Sequence, residues 1–283
     1  MIERIAVVGG GTMGAGIAEV SARSGADVLV YEINDQALEA ARGRVESSLA
    51  RAVRGGRLEE AERDAVLSRL QWVTDYADLH DRDLVIEAAP EIEDLKFTIF
   101  RTLDEAVQPG AILASNTSSI PLVKMAAVTK RPHQVVGVHF FNPVPVLPLV
   151  EIVESLLTSA STLETVTTFA EKQLNKTTIR SKDRAGFVVN ALLIPYILSA
   201  VRMMESGFAS AEDIDEGMVK GCAHPMGPLH LADLIGLDTC AAVATSMYAE
   251  FKEQLFAPPP LLLRMCEAGL LGRKTGQGFF SYA

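Results

Sequence analysis

A short strand that ends in glycines and turns directly into a helix commits a chain to very few architectures, and this sequence opens with one. Residues 2–8 are a β-branched run, followed at once by Gly9-Gly10-Gly11-Thr12-Met13-Gly14 and a helical pattern that stops at Gly25. Gly9, Gly11 and Gly14 fit G-x-G-x-x-G. In that pattern the first two glycines allow a tight turn and the close approach of a pyrophosphate, and the third lets the helix pack on the strand. The next strand, residues 27–31, leads into Glu32, 21 residues after Gly11, where a carboxylate accepts both ribose hydroxyls of an adenosine. Its charge repels a 2′-phosphate, so the expected cofactor is NAD rather than NADP. A glycine turn without a ligand is the alternative, and the strand, helix and acid around it weigh against that.

Residues 35–70 are helical and charged, longer than one crossover needs, and read as an inserted helix pair. Arg51 and Arg54 lie one turn apart on one face, where they meet either a polyanionic ligand or solvent; spacing leaves both open. Residues 84–87 form the next buried strand, and a helix over about 91–107 carries Glu91 and Lys96 in its first turns. Residues 111–114 form another strand, ending in Ser115-Asn116-Thr117-Ser118-Ser119. Five small polar residues at a strand end make a ligand site or a helix cap, and a cap needs only one.

Residues 134–153, QVVGVHFFNPVPVLPLVEIV, read as two strands and a turn. Pro143, Pro145 and Pro148 cannot donate to a central ladder and belong in the reversal. His139 and Glu151 are equally far from Pro145 along the chain, so a hairpin brings them face to face. An imidazole oriented by a carboxylate is a usual form of general base; a core histidine satisfied by a glutamate is the bland reading.

After a helix over 161–174 and a last strand over 177–180 the pattern changes, and only helical segments follow: 187–206, 210–221, 229–235, 238–256 and 260–268. The expected architecture is α/β: a Rossmann-type, mostly parallel sheet domain with the inserted helix pair over residues 1–183, then an all-helical domain over 184–283. Asn190, within the apolar first helix of that second domain, is either a hydrogen-bonded structural residue or one that faces a cleft. The formal net charge of −10 disfavours nucleic acid and anionic membrane as partners. No apolar run approaches the ~20 residues of a spanning helix, and the first strand starts too close to Met1 for a leader, so a cytoplasmic location is expected. The three cysteines, Cys222, Cys240 and Cys266, have no metal-ligand spacing and are expected as buried small hydrophobes, with no metal site.

Together the glycine turn, Ser115-Asn116-Thr117-Ser118-Ser119, His139-Phe140-Phe141-Asn142-Pro143, Leu149-Val150-Glu151, Gly186-Phe187-Val188-Val189-Asn190, His224-Pro225-Met226-Gly227-Pro228 and Gly272-Arg273-Lys274-Thr275-Gly276-Gln277-Gly278-Phe279 resemble the 3-hydroxyacyl-CoA dehydrogenase family, over nearly the whole chain and in order. The resemblance implies NAD-dependent oxidation of a short-chain L-3-hydroxyacyl-CoA, or its reverse, by a homodimer joined through the helical domain. It implies His139 as base, Glu151 as its partner, Ser118 on the substrate C3 oxygen and Asn190 on the thioester side. Gly9, Gly11, Thr12, Met13, Gly14 and Glu32 would hold the adenosine and pyrophosphate, and Glu91, Lys96, Asn116, Ser118, Asn142 and Lys274 would line the nicotinamide half. Arg51 and Arg54 fall where relatives place basic residues for the CoA phosphates. Glu32 for the commoner aspartate, Ala185 for proline and Pro148 for lysine depart from the family pattern without removing a catalytic group. Two other readings keep the fold: an enzyme acting on a hydroxy acid without CoA, and a non-catalytic nucleotide-binding protein.

Overall fold

In the computed structural model, which describes residues 1–282, the chain divides into two compact units, Met1–Asp183 and the chain from Arg184 onward. The first is built on a sheet of eight strands in the order β3-β2-β1-β4-β5-β6-β7-β8. Arg4–Val8 (β1) is flanked by Asp27–Tyr31 (β2) and Leu84–Glu87 (β4), with Ile112–Ser115 (β5) and Val135–Phe140 (β6) continuing in parallel. Leu149–Glu154 (β7) returns antiparallel to β6, and Thr177–Lys182 (β8) runs parallel to β7. The strand order reverses between β1 and β4, which in open sheets of this kind marks the ligand crevice at the carboxyl ends of the strands.

Leu70–Val73 (β3) is a strand the sequence reading missed; it lies at the sheet edge and pairs only with β2. Before it comes the inserted helix pair, Asp35–Arg54 (α2) and Glu60–Ser68 (α3). Asn34 caps α2 by accepting from the Ala37 amide at 2.9 Å, and Glu59 and Glu62 close a capping box on α3. Ala41, Val45, Leu49 and Ala52 recur on one face of α2 and are buried, which turns that stripe to the core and the rest of the helix outward. The remaining α-helices of this unit are Thr12–Arg23 (α1), Glu93–Ala106 (α4), Leu122–Ala127 (α5) and Ala160–Thr168 (α6). β1, β4, β5 and β6 are almost wholly buried, as strands covered on both faces must be.

The second unit is helical: Val189–Glu205 (α7), Ala211–Cys222 (α8), Pro228–Ile235 (α9), Leu237–Phe251 (α10) and Pro260–Glu267 (α11). α10 stops at Phe251, earlier than its apolar pattern suggests, because Lys252 takes a left-handed conformation (φ 56°). Ile197, Leu198, Leu229, Leu237, Ala244, Met247 and Leu262 form its core. The chain end is tied down by Asp233, whose carboxylate accepts from the Phe279 and Phe280 amides at 3.0 and 2.9 Å and from the Tyr282 hydroxyl at 3.0 Å. A Cβ at Gly278 would sit 1.9 Å from that carboxylate, and one at Gly272 would sit 2.3 Å from the Asp233 carbonyl. Gly272 and Gly278 of the terminal motif therefore serve this clamp. Of the cysteines only Cys240 is fully buried; Cys222 is exposed and Cys266 is intermediate, against the expectation for all three.

Candidate active site

The glycine turn closes because a Cβ is not tolerated at three of its positions, among them Gly10, where it would lie 2.3 Å from Ala41 Cβ. A Cβ on Gly14 would lie 1.7 Å from the Gly9 carbonyl oxygen, and one on Gly9 (φ +95°) would lie 2.9 Å from the backbone of Ala88 and Ala89, just after β4. Gly11 differs: a Cβ there meets nothing within 4 Å, so packing does not require its glycine, whereas close approach of a ligand backbone would. No side chain caps the N-terminus of α1, where Thr12 and Met13 are the first residues; its amides and dipole are disposed for an anion. The Glu32 carboxylate sits beside the turn, accepting from the Gly10 amide at 2.6 Å and the Ile33 amide at 3.2 Å. An open glycine, an uncapped helix start and a ribose-seeking carboxylate at the β2 end fit the adenosine and pyrophosphate of a dinucleotide, and of NAD in particular.

Next to this turn a cleft of about 570 Å³ is lined by Thr12, Arg44, Ser48, Arg51, Asn142 and Val144, among others. Arg44, Ser48 and Arg51 share one face of α2, and the Arg44 guanidinium donates to the Gly10 carbonyl at 3.3 Å. Arg54, one turn beyond Arg51, is exposed and outside the cleft lining. Asn142 is exposed on the loop that follows β6, where the Asn142–Pro143 bond is cis. Lys176 holds this loop by donating to the Val144 and Leu147 carbonyls at 2.6 and 2.7 Å.

At the ends of β4 and β5 two carboxylates organise the polar segment. Glu87, the last residue of β4, is fully buried. One of its oxygens accepts from Lys96 Nζ at 2.6 Å and the Ala89 amide at 2.7 Å, and the other from the Ser115 hydroxyl at 2.6 Å. Lys96 is buried as well, completing its contacts with the Ala89 carbonyl and with Glu91 at 3.2 Å. Glu91 accepts from the Thr117 and Ser119 hydroxyls and from the Ser118 and Ser119 amides. Burial works against its ionisation, but Lys96 and these hydroxyls outweigh it and hold the carboxyl below its ordinary value. The five polar residues thus divide. Ser115, Thr117 and Ser119 fix the turn, Asn116 Oδ1 accepts from the Phe140 amide at 2.9 Å, and the Ser118 hydroxyl has no protein partner among the described residues.

The Phe140 contact ties that turn to β6, where His139 lies directly opposite Glu151 of β7. His139 Nδ1 and Glu151 Oε2 are 2.7 Å apart, with the carboxylate fully buried and the ring nearly so. A carboxylate on Nδ1 keeps the proton there and puts the neutral ring's lone pair on Nε2. Phe141 packs edge-on against the ring, centroids 4.7 Å apart.

Two predicted site residues belong to the helical unit. Asn190 is half-buried in the first turn of α7, and the Lys274 ammonium reaches both oxygens of Asp238 at 2.6 Å. Among the described residues no cluster of side chains suits a metal ion, and no helix is long and apolar enough to cross a membrane. Sequence reasoning passed over Glu87 and Arg44; an acid closing the apolar run of residues 84–87 was the visible signal for the first, and the i, i+7 spacing from Arg44 to Arg51 for the second.

Residues 4–184 match the family model described as 3-hydroxyacyl-CoA dehydrogenase, NAD binding domain, and residues 186–282 that of the 3-hydroxyacyl-CoA dehydrogenase C-terminal domain. The chain is 56% identical over 282 residues to a 3-hydroxybutyryl-CoA dehydrogenase of Mycobacterium tuberculosis, covering 99% of both. It is 43% identical over 279 residues to a 3-hydroxybutyryl-CoA dehydrogenase of Clostridioides difficile, again covering 99% of both. The crystal structure of (S)-3-hydroxybutyryl-CoA dehydrogenase from Ralstonia eutropha superposes with a TM-score of 0.94 at 46% identity, covering 100% of each chain.

Proposed function

The chain belongs to the 3-hydroxyacyl-CoA dehydrogenase family, and from that premise we propose that it is an NAD-dependent 3-hydroxybutyryl-CoA dehydrogenase, interconverting a short-chain L-3-hydroxyacyl-CoA and the 3-ketoacyl-CoA. The observation that carries the reading is the buried 2.7 Å pair of His139 and Glu151, built into the same sheet as the glycine turn. NAD, when bound, supplies the hydride acceptor. His139 takes the C3 hydroxyl proton at Nε2, and Glu151 at Nδ1 holds the ring in that tautomer and stabilises the imidazolium that forms. The Ser118 hydroxyl bonds the C3 oxygen, where negative charge develops as the proton leaves. Gly9, Gly11, Thr12, Met13, Gly14 and Glu32 hold the adenosine and pyrophosphate; Glu91, Lys96, Asn116 and Asn142 shape the half that receives the nicotinamide. Arg51, supported by Arg54, meets the CoA phosphates, giving an acidic chain the local positive charge such a ligand needs. Asn190 on the thioester side and Lys274 on the nicotinamide side are assigned on the family resemblance alone.

Residues 1–183 then form the NAD-binding domain and residues 184–283 a substrate and dimerisation domain. We place the enzyme in the cytoplasm as a homodimer; exposed Leu192 and Phe208, at 74% and 81% exposure, give the helical unit apolar surface for a second copy. Light scattering at micromolar concentration tests this, and a monomer would refute it. The activity test is oxidation of NADH by the purified protein with acetoacetyl-CoA, run beside NADPH and beside free acetoacetate. Rapid turnover with NADH and the thioester alone is the expected result. No turnover with either cofactor would overturn the assignment.

A further inference from the structure

Glu87 touches neither the catalytic pair nor any surface, yet it is fully buried and bonded through both carboxylate oxygens. Both of its oxygens are used, and through them it fixes Lys96, Ala89 and Ser115. The sheet topology says which part of a dinucleotide lies above it. Glu32 at the end of β2 takes the adenosine, the turn after β1 takes the pyrophosphate, and the crevice continues across the reversal between β1 and β4. The nicotinamide half therefore falls over the ends of β4 and β5. Ala88 and Ala89, which follow Glu87, are the backbone against which Gly9 packs.

Two carboxylates and one ammonium meet there. Lys96 Nζ is 2.6 Å from Glu87 and 3.2 Å from Glu91, and only Glu91 reaches solvent, with 37% of its side chain exposed. The three groups sum to one negative formal charge in a region where water screens poorly. The oxidised nicotinamide ring is a cation and the reduced ring is neutral, so such a cluster distinguishes them without touching either.

We propose that Glu87 is a positioning residue that, with Lys96 and Glu91, sets a net negative charge beneath the nicotinamide half and so favours bound NAD⁺ over bound NADH. The inference rests on the proposed cofactor. Stabilising the oxidised form lowers the potential of the bound couple and makes bound NADH the better hydride donor.

The test is the ratio of dissociation constants, Kd(NADH)/Kd(NAD⁺), measured by equilibrium titration without substrate. Glu87→Gln removes one negative formal charge and leaves Lys96 beside Glu91, and the ratio is expected to fall about fivefold, equivalent to about 20 mV for a two-electron couple. Glu91→Gln removes the same charge from the more exposed side, leaves the Glu87–Lys96 pair intact, and is expected to shift the ratio in the same direction. The double variant Glu87→Gln with Lys96→Met retains one negative charge and is expected to restore the wild-type ratio even where both affinities drop. A purely structural role would weaken both forms alike. An unmoved ratio in folded Glu87→Gln or Glu91→Gln, or a double variant that stays shifted, would overturn the proposal. Wild-type protein that binds neither form would instead overturn the cofactor assignment on which it rests.

Discussion

Buried ionisable groups cost stability unless each has its partners, and those at the strand ends of the sheet unit are partnered, His139 with Glu151 and Lys96 with Glu87 and Glu91. His139 with Glu151 is the pair with chemistry. Changing His139 to Gln keeps a polar group of similar reach and removes the base, so turnover of acetoacetyl-CoA is expected to fall about 10²- to 10⁴-fold. Steady-state rates compared with NADH titrations check this, since NADH affinity is expected to stay unchanged; near-normal turnover would remove His139 from the mechanism. Glu91 carries the pH dependence. Its carboxyl is held below the ordinary value of 4.5, against burial, by Lys96, Thr117 and Ser119, so the folded protein binds its proton less readily than the unfolded chain. The stability that ionised Glu91 supplies is thus present above pH about 4.5 and is lost as pH falls through the lowered value. Thermal melts of wild type and Glu91→Gln are expected to differ near neutrality and to converge as the buffer is taken below about pH 4; a constant gap would contradict the assignment. The pairing of His139 with Glu151 was legible because two strands around a proline-rich turn leave little choice of register. The division of labour within Ser115–Ser119 was not, since Glu87 and Glu91 lie 28 and 26 residues before the hydroxyls they accept from.

Among the elements, the strands that were legible are the ones with β-branched or apolar runs bounded by breakers. β3 escaped because it is four residues long, contains Gln71 and Trp72, and owes its existence to one neighbour, β2; tertiary pairing decided what propensity did not. The start of α5 shows the same dependence. Proline precedes it and no local side chain caps it. Its first two amides, those of Leu122 and Val123, donate instead to Asp183 at 2.9 and 2.8 Å, from the end of the sheet unit. A carboxylate at a helix start satisfies orphan donors and favours the dipole. Asp183→Ala is therefore expected to destabilise the protein by about 1–2 kcal/mol. Because α5 directly follows the Ser118 turn, the same variant is expected to lower kcat/KM in step. Denaturant melts and initial rates check the two together, and an unchanged melting midpoint would show that solvent replaces the carboxylate without loss.

At the scale of the whole molecule the three cysteines serve as reporters of the helical unit, because packing makes them unequal. Cys222 is the last residue of α8, where Ala223 in a left-handed conformation turns the chain away and leaves the thiol exposed. Cys240 lies on the inner face of α10 with no exposed surface, and burial, with Asp238 adding to it, pushes its thiol up to about 12. Cys266 is intermediate, and burial raises its thiol as well. The thiolate is the reacting species, so at pH about 8 only about one part in ten thousand of Cys240 is reactive even before access is considered. Alkylation of the native protein followed by peptide mass spectrometry is expected to modify Cys222 first, Cys266 more slowly, and Cys240 only at the rate at which the α7–α11 core opens. Labelling of Cys240 in step with Cys222 would mean that this core opens readily under native conditions. The sequence pattern treated the three alike, because odd number, wide spacing and the lack of a C-x-x-C pair speak against a metal or redox site but say nothing of which helix face each occupies. That face is decided by contacts from α7, α9 and α11, and it separates an inert core thiol from a reactive surface one.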